Sequence, residues 1–417
     1  MSKKWKTYKL GDIAKLRKEG IKPSEFNSEK YIGLEHIGQG NFLLDSIGDA
    51  SDVTSNKSKF WEGDILYGKI RPYFKKVYRP KFSGICSTDM LIFNTQDESL
   101  VTQSYLHQFI KTQEFTDKAT ETSTGTKMPR ADWNSLKLWE IQLPPLPEQK
   151  AIANILSAID DKIENNLAIN KTLEDMAMAL YKHWFVDFGP FQDGEFVDSE
   201  LGPIPEGWEV KRLEDLIEVI SGYAFKSKWF QDFGEKVVKI KNISNNVVDI
   251  NNCNCITAEK ALEINDKFKI EPGDFLVAMT GAEVGKVGVV PDYQQPLWLN
   301  QRVGKLEDKL FLNSSILVGK ILQSKEYYEV IQGLAYGSAQ PNISASGIEN
   351  IEISLPNNIE DIQDLINELV NLHNQIIHNL TENQNLTKLR DTLLPKLISG
   401  EVRLKEYCER GTNEAIS

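Results

Sequence analysis

Between Glu148 and Phe188 the chain sets its apolar residues in two seven-residue rows. One row runs Ile152, Ile159, Asn166, Leu173 and Leu180; the other runs Leu156, Ile163, Asn170, Ala177 and Trp184. Rows offset by four and three positions form the a/d seam of a coiled-coil helix. At 1.5 Å per residue such a helix is roughly 58 Å long, and an apolar stripe of that length needs a partner to cover it. The pattern recurs 213 positions later as Leu365, Leu372, Asn379, Leu386 and Leu393 beside Leu369, Ile376, Asn383, Arg390 and Leu397. An antiparallel pairing in which partner numbers sum to 549 sets every a position against a d position, with Asn166 facing Asn383 and Asn170 facing Asn379. A slip of one heptad would set these amides against leucines, at about 1–3 kcal/mol for each unpaired group. The four asparagines therefore fix the register.

The recurrence belongs to a duplication of the whole chain. Trp5-KTYK-Leu10-Gly-Asp12-Ile13 is answered by Trp208-EVKR-Leu213-Glu-Asp215-Leu216, and Trp61-Glu-Gly63-Asp64 by Glu271-Pro-Gly273-Asp274. Gly125-TKM-Pro129 is answered by Gly337-SAQ-Pro341, and Leu143-Pro144 by Leu355-Pro356, each just ahead of a long helix. Short β-branched and aromatic runs such as DILYGKI, DFLVAM and KVGVVP, punctuated by Gly, Pro, Asn and Asp, predict strands and turns. One helical stretch is expected in each copy, near Ser104–Phe115 and Ser314–Ile331. The fold class is thus α+β: two similar strand-rich α/β domains separated by two long helices in an antiparallel coiled coil, with a pseudo-twofold internal repeat. The expected boundaries are 1–147 for the first domain, 148–188 for the central helix and 189–207 for a Gly/Pro-rich linker. They continue with 208–357 for the second domain, 358–400 for the distal helix and 401–417 for the tail.

Net charge is −12, which argues against a free-standing DNA binder, but it is uneven. Residues 1–147 carry a net +4 and residues 201–359 a net −5. Any grip on nucleic acid must be local and shared with a basic partner. No apolar run reaches 18 residues and the N-terminus lacks a signal-peptide core, so a cytoplasmic protein without membrane contact is expected. Four cysteines are too few for a disulfide framework, and Cys253-x-Cys255 lacks the second ligand pair of a zinc site.

Catalytic motifs are sparse. The five histidines are scattered, without a Ser or Cys partner in a nucleophile elbow, and Gly-rich phosphate loops are missing from the sequence. Pro291-Asp292 followed by Glu307-Asp308-Lys309 loosely fits a PD…(D/E)xK pattern. There Asp292 and Glu307 would hold Mg²⁺ and Lys309 orient water. An autonomous Mg²⁺-dependent nuclease is therefore one alternative reading, and a coiled-coil scaffold without a DNA role another. The stronger signal is cationic. Residues 68–81 combine Lys69, Arg71, Lys75 and Lys76 with Tyr73, and residues 123–130 add Thr126, Lys127 and Arg130. Arg offers paired donors to guanine and phosphate, Lys a mobile point charge. The corresponding places in the second domain are more neutral: Tyr223, Lys226, Thr280, Lys286, Asn300, Gln301, Arg302, Ser338 and Gln340. Asn and Gln suit adenine edges.

Leu143-PPLPEQK before the first long helix, YKHWFVDF at its end, SGYAFK in the second domain and LLPKLISG closing the second helix resemble the specificity subunit of type I restriction–modification systems. The resemblance spans essentially residues 1–400. It implies a non-catalytic chain with two target-recognition domains, each reading one half of a split, asymmetric site in double-stranded DNA. It also implies docking of two methyltransferase subunits and of restriction/translocase subunits. S-adenosylmethionine, ATP and Mg²⁺ would belong to those partners, and this chain would hold no cofactor. The helices would act as a ruler between half-sites. The second domain, net negative and poor in arginine, departs from this pattern.

Overall fold

The computed structural model describes residues 5–26, 29–125, 127–335 and 341–404, so the expected tail is described only as far as Leu404. The chain forms two compact units, Met1–Glu164 with Asn385–Ser417, and Asn165–Gln384. Both long helices, Leu146–Tyr181 and Gln363–Ser399, cross the division. Each unit therefore holds one strand-rich body and one part of each helix.

In the first unit, Lys6–Lys9 pairs antiparallel with Glu140–Leu143, tying the start of the body to its end. A four-stranded sheet follows in the order Ala14–Leu16, Met90–Thr95, Ile65–Gly68, Val77–Tyr78. A second sheet has the order Gly20–Ile21, Lys57–Phe60, Gly84–Cys86, Lys30–Ile32, Gly48–Asp49. All four residues of Ile65–Gly68 are buried. Ile65 and Tyr67 enter the core with Tyr105, Phe109 and Phe115, while Leu66 enters the other with Ile32, Phe60 and Cys86. A strand covered on both faces needs a continuous apolar run, which is why its sequence does not alternate. The second unit repeats this: Phe275 and Val277 face one core, Leu276 and Ala278 another.

Each single helical stretch expected from sequence is two helices. Gln103–Ile110 and Gln113–Glu121 are separated at Thr112, whose hydroxyl accepts from Phe115 N–H at 3.1 Å. Ser314–Leu322 and Lys325–Ala335 are separated at Ser324, which accepts from Tyr327 N–H at 3.3 Å. A hydroxyl that satisfies a free N–H at a helix start favours a fresh N-terminus over a continuous helix.

Within the first unit, Ile152, Ala153 and Leu156 share a core with Leu394, Leu397 and Ile398, and Glu148 meets Arg403 while Asp160 meets Arg390, so the two helix segments run antiparallel. Arg390, a seam residue, is 2% exposed; its guanidinium lies 3.6 Å from Asp160, which also receives Lys111 Nζ at 2.5 Å. The second helix ends at Gly400, in the left-handed region at φ 76°. Within the second unit, Leu173, Ala177 and Tyr181 share a core with Leu365, Leu369, Leu372 and Ile376. There Asn166 Nδ2 donates to Asn383 Oδ1 at 2.9 Å and Asn379 Nδ2 donates to Asn170 Oδ1 at 2.8 Å.

The segment expected to be a plain linker is folded. Phe196–Ser199 and Gly202–Pro205 form a hairpin. Trp208 receives the rings of Phe185, Phe188 and Phe191 at 5.7, 5.3 and 5.1 Å. Gly202, Pro203 and Pro205 lie in the second strand of the hairpin, whose turn is Glu200–Leu201.

Candidate nucleic-acid interface

In the first unit the two cationic loops lie side by side. Ala131 N–H donates to Lys69 O at 2.9 Å, Arg71 N–H to Pro129 O at 2.8 Å, and Ile70 bridges Arg130. Lys69 N–H donates to Asp89 O at 3.0 Å, which adds the 87–89 turn to the same edge. Asp89 stands among cations, 3.6 Å from Lys69 Nζ and 3.8 Å from Arg130 Nε. Arg71 and Lys75 hold left-handed backbones at φ 48° and 55°, a region that disfavours residues with a Cβ by roughly 1–2 kcal/mol. Arg71 Nε is buried without a partner, and Tyr73 is half-exposed beside Phe74. Lys127 and Arg130 are exposed; Thr126 lies outside the described residues. Lys75 leans over Phe42, 5.6 Å from the ring centre, and burial lowers its pKa while Asp391 opposes the shift. Lys76 turns inward, donating at 2.6 Å to the carbonyls of both Leu34 and Ile37.

The second unit builds the same framework with other side chains. Ile343 N–H donates to Met279 O at 2.9 Å, Gly281 N–H to Pro341 O at 2.9 Å, Met279 N–H to Arg302 O at 3.0 Å, and Thr280 bridges Asn342. Bond for bond, Gly281 takes the place of Arg71, Asn342 that of Arg130, and Arg302 that of Asp89. The positive φ values recur too, at Gly281 (78°) and Gly285 (83°), where the first unit has Arg71 and Lys75. The cations missing from one loop are replaced by one exposed arginine where the first unit has a carboxylate.

Tyr223 joins this cluster. Its N–H donates to Leu299 O at 2.8 Å, and its carbonyl accepts from Gln301 N–H at 2.9 Å. Asn300 is buried, donates through its N–H to Val238 O at 3.2 Å, and accepts at Oδ1 from Arg302 N–H. Gln301 and Arg302 are exposed, and Thr280 Oγ1 is buried without a partner. Lys286 is engaged by Glu283. Ser338 and Gln340 lie outside the described residues. Sequence reasoning missed Asn342, Trp229, Phe230 and Lys239, although a Trp-Phe pair flanked by lysines at 226, 228, 239 and 241 was there to be seen.

The carboxylates of the nuclease alternative do not assemble. Asp292 N–H donates to Thr381, Glu307 pairs with Lys305 at 2.6 Å, and Lys309 Nζ donates to the Glu214 carbonyl. Among the described residues no group of three or more His, Cys, Asp or Glu is arranged to hold a metal ion. The structure gives that alternative no support.

Residues 2–175 and 205–388 match the family described as Type I restriction modification DNA specificity domain, once for each repeat. The chain is similar to the Type I restriction enzyme MjaVIII specificity subunit of Methanocaldococcus jannaschii, 29% identical over 408 residues, covering 96% of this chain and 93% of that protein. It is also similar to the Type I restriction enzyme MjaIX specificity subunit of the same organism, 31% identical over 73% of this chain and 70% of that protein. The HindI specificity subunit of Haemophilus influenzae is 25% identical, over 95% and 99% of the two chains. The fold is similar to the crystal structure of a type I restriction–modification S subunit from M. genitalium, with TM-score 0.57, 18% identity, and 94% and 96% of the chains covered.

Proposed function

This chain belongs to the type I restriction modification DNA specificity family, and from that premise we propose that it is the DNA-reading subunit of a type I complex. Each strand-rich body reads one half of a split, asymmetric site in double-stranded DNA. The observation that carries this is the repeated loop framework: the same backbone hydrogen bonds present different side chains in the two units. Identical scaffolds with unlike tips suit unlike half-sites, because backbone contacts position a reader while base-edge contacts specify.

In this reading the chain performs no bond-making step. It works in the cytoplasm with two methyltransferase subunits, which supply S-adenosylmethionine chemistry, and with restriction/translocase subunits, which use ATP and Mg²⁺. No helix among the described residues is long and apolar enough to cross a membrane. The test is to map methylated adenines in DNA from cells producing the methyltransferase subunits with and without this chain. A gapped, two-part motif that appears only with the chain supports the reading; a motif independent of the chain contradicts it.

A further inference from the structure

The second unit is net negative, yet its cations are not evenly neutralised. Lys211, Lys269, Lys286, Lys305 and Lys325 each lie within ion-pair distance of a carboxylate. Lys260, 5.4 Å from the Trp229 ring centre, is matched by Glu263 in the same way, but three other lysines near Tyr223 are not. Among the described residues, Lys226, Lys239 and Lys241 have no carboxylate within that distance. Lys226 Nζ lies 5.5 Å from the Trp229 ring centre, and Lys239 Nζ lies 3.4 Å from that of Phe230 while donating to the neutral Asn254 Oδ1 at 3.1 Å. The rings are themselves fixed: Trp229 stacks on Tyr223 at 6.1 Å, and Phe225 touches both Tyr223 and Phe230.

This group adjoins the loop cluster through the backbone. Glu235–Val238 runs parallel to Leu297–Leu299, and Val238 O accepts from Asn300 N–H, which places Lys239 beside the turn that carries Gln301 and Arg302. Lys239 is also partly desolvated: burial, then its neighbour Lys241, lowers its pKa. A partly buried ammonium such as that of Lys239, with the exposed Lys241 nearby and no counter-charge, raises the free energy of the unbound chain, and an incoming anion relieves this. An aromatic face orients a lysine without neutralising it.

We propose that Lys226, Lys239 and Lys241 form the phosphate-backbone grip of the second unit, with Lys226 held over Trp229, Lys239 over Phe230 beside the Asn300–Arg302 turn, and Lys241 next to Lys239. The inference rests on the DNA-reading function above and resolves how a net-negative unit holds a polyanion. Its grip is local, made of cations that lack a carboxylate partner and are held against aromatic rings beside the loop cluster. Phosphate contacts of this kind position the duplex and carry no sequence information.

The experiment uses the full chain assembled with its methyltransferase subunits and a duplex carrying the mapped site, with affinity measured across a KCl series. Each lost phosphate contact lowers the slope of log K against log [KCl] by about 0.9. The double variant Lys226→Gln/Lys239→Gln is expected to lose about two units of slope and keep the wild-type methylation motif. Lys226→Arg/Lys239→Arg, which preserves charge, is expected to keep the wild-type slope. Lys325→Gln, on an exposed pair with Glu329, serves as the control and leaves the slope unchanged. A wild-type slope in the folded Gln variant overturns the grip, and so does an altered motif, which would put these lysines at base edges. Wild-type complex that binds the duplex carrying the mapped site no better than an unrelated duplex would instead overturn the DNA-reading function itself.

Discussion

Asn166 donates through Nδ2 to Oδ1 of Asn383 at 2.9 Å, in a seam whose neighbouring positions are mostly leucine, isoleucine and alanine. Asn166 Nδ2 also reaches Glu382 Oε2 at 2.7 Å. Replacing Asn166 by Leu removes the amide that donates to both Asn383 and Glu382 and is expected to destabilise the chain by about 1–3 kcal/mol. Asn166→Leu/Asn383→Leu removes both amides and should recover most of that loss, at the expense of register specificity. Thermal denaturation of the three proteins checks this; additive losses in the double variant would show that the asparagines do not act as a pair.

Arg71 occupies a backbone conformation for which the second unit uses Gly281. Arg71→Gly relieves the left-handed strain, while glycine's extra unfolded-state entropy offsets roughly 0.5–1 kcal/mol of the gain. Stability should change by less than about 1 kcal/mol, whereas DNA affinity should fall at least several-fold. A β-branched residue, as in Arg71→Val, should destabilise by more than Arg71→Gly does. Chemical denaturation together with DNA binding separates the two effects; equal affinity in Arg71→Gly would remove Arg71 from the interface.

Asp160 serves two buried cations, Lys111 and Arg390, both also set against the Phe42 ring at 4.6 and 4.8 Å. Burial alone would raise the Asp160 pKa; Lys111 and the hydrogen bonds from Gln108 and Lys111 outweigh it, so the net shift is downward. Asp160→Asn leaves Lys111, which is fully buried, without its counter-charge and should cost about 3–5 kcal/mol. Adding Lys111→Met should recover part of this. A loss below about 1 kcal/mol in urea denaturation would mean that the cluster behaves as an exposed surface pair.

His373 donates from Nε2 to the Gly273 carbonyl at 2.9 Å, stacks on Phe275 at 4.8 Å, and leaves Nδ1 buried without a partner. That is the neutral tautomer. Burial first, and then the nearby Lys320 ammonium, push its pKa down to about 4. Between pH 6.5 and about 4 the unfolded chain binds a proton that the folded chain does not, so stability falls as pH drops through that window. The loss approaches ~3 kcal/mol at its lower end. His373→Gln should flatten this part of the stability–pH curve; an unchanged curve would assign the acid limb to other groups.

The heptad rows and the duplicated motifs made the helices and the repeat legible, because both are periodic in sequence. The breaks at Thr112 and Ser324 were hidden, since a capping hydroxyl looks like any polar residue on a helix face until its N–H partner is known. The hairpin at 196–205 was hidden because its turn, Glu200–Leu201, holds neither glycine nor proline, while its second strand holds Gly202, Pro203 and Pro205, residues that ordinarily argue against a strand. At the candidate interface, sequence alone grouped residues 68–81 and 123–130 but could not show that Ile70 bridges Arg130. Nor could it show that Lys76 spends its ammonium on two carbonyls. Lys239 reaches Asn300 only through the parallel pairing of Glu235–Val238 with Leu297–Leu299, and the equivalence of Asp89 and Arg302 is visible only as a shared backbone bond.

The most direct test follows from that equivalence. Methylated adenines are mapped in DNA from cells carrying the complete complex with wild-type chain, Arg302→Ala, or Arg71→Ala. Arg302→Ala should relax or change one half of the two-part motif, Arg71→Ala the other half, and neither should alter the length of the gap between them. Loss of discrimination in the same half for both variants, or an uninterrupted motif in the wild type, would contradict the account.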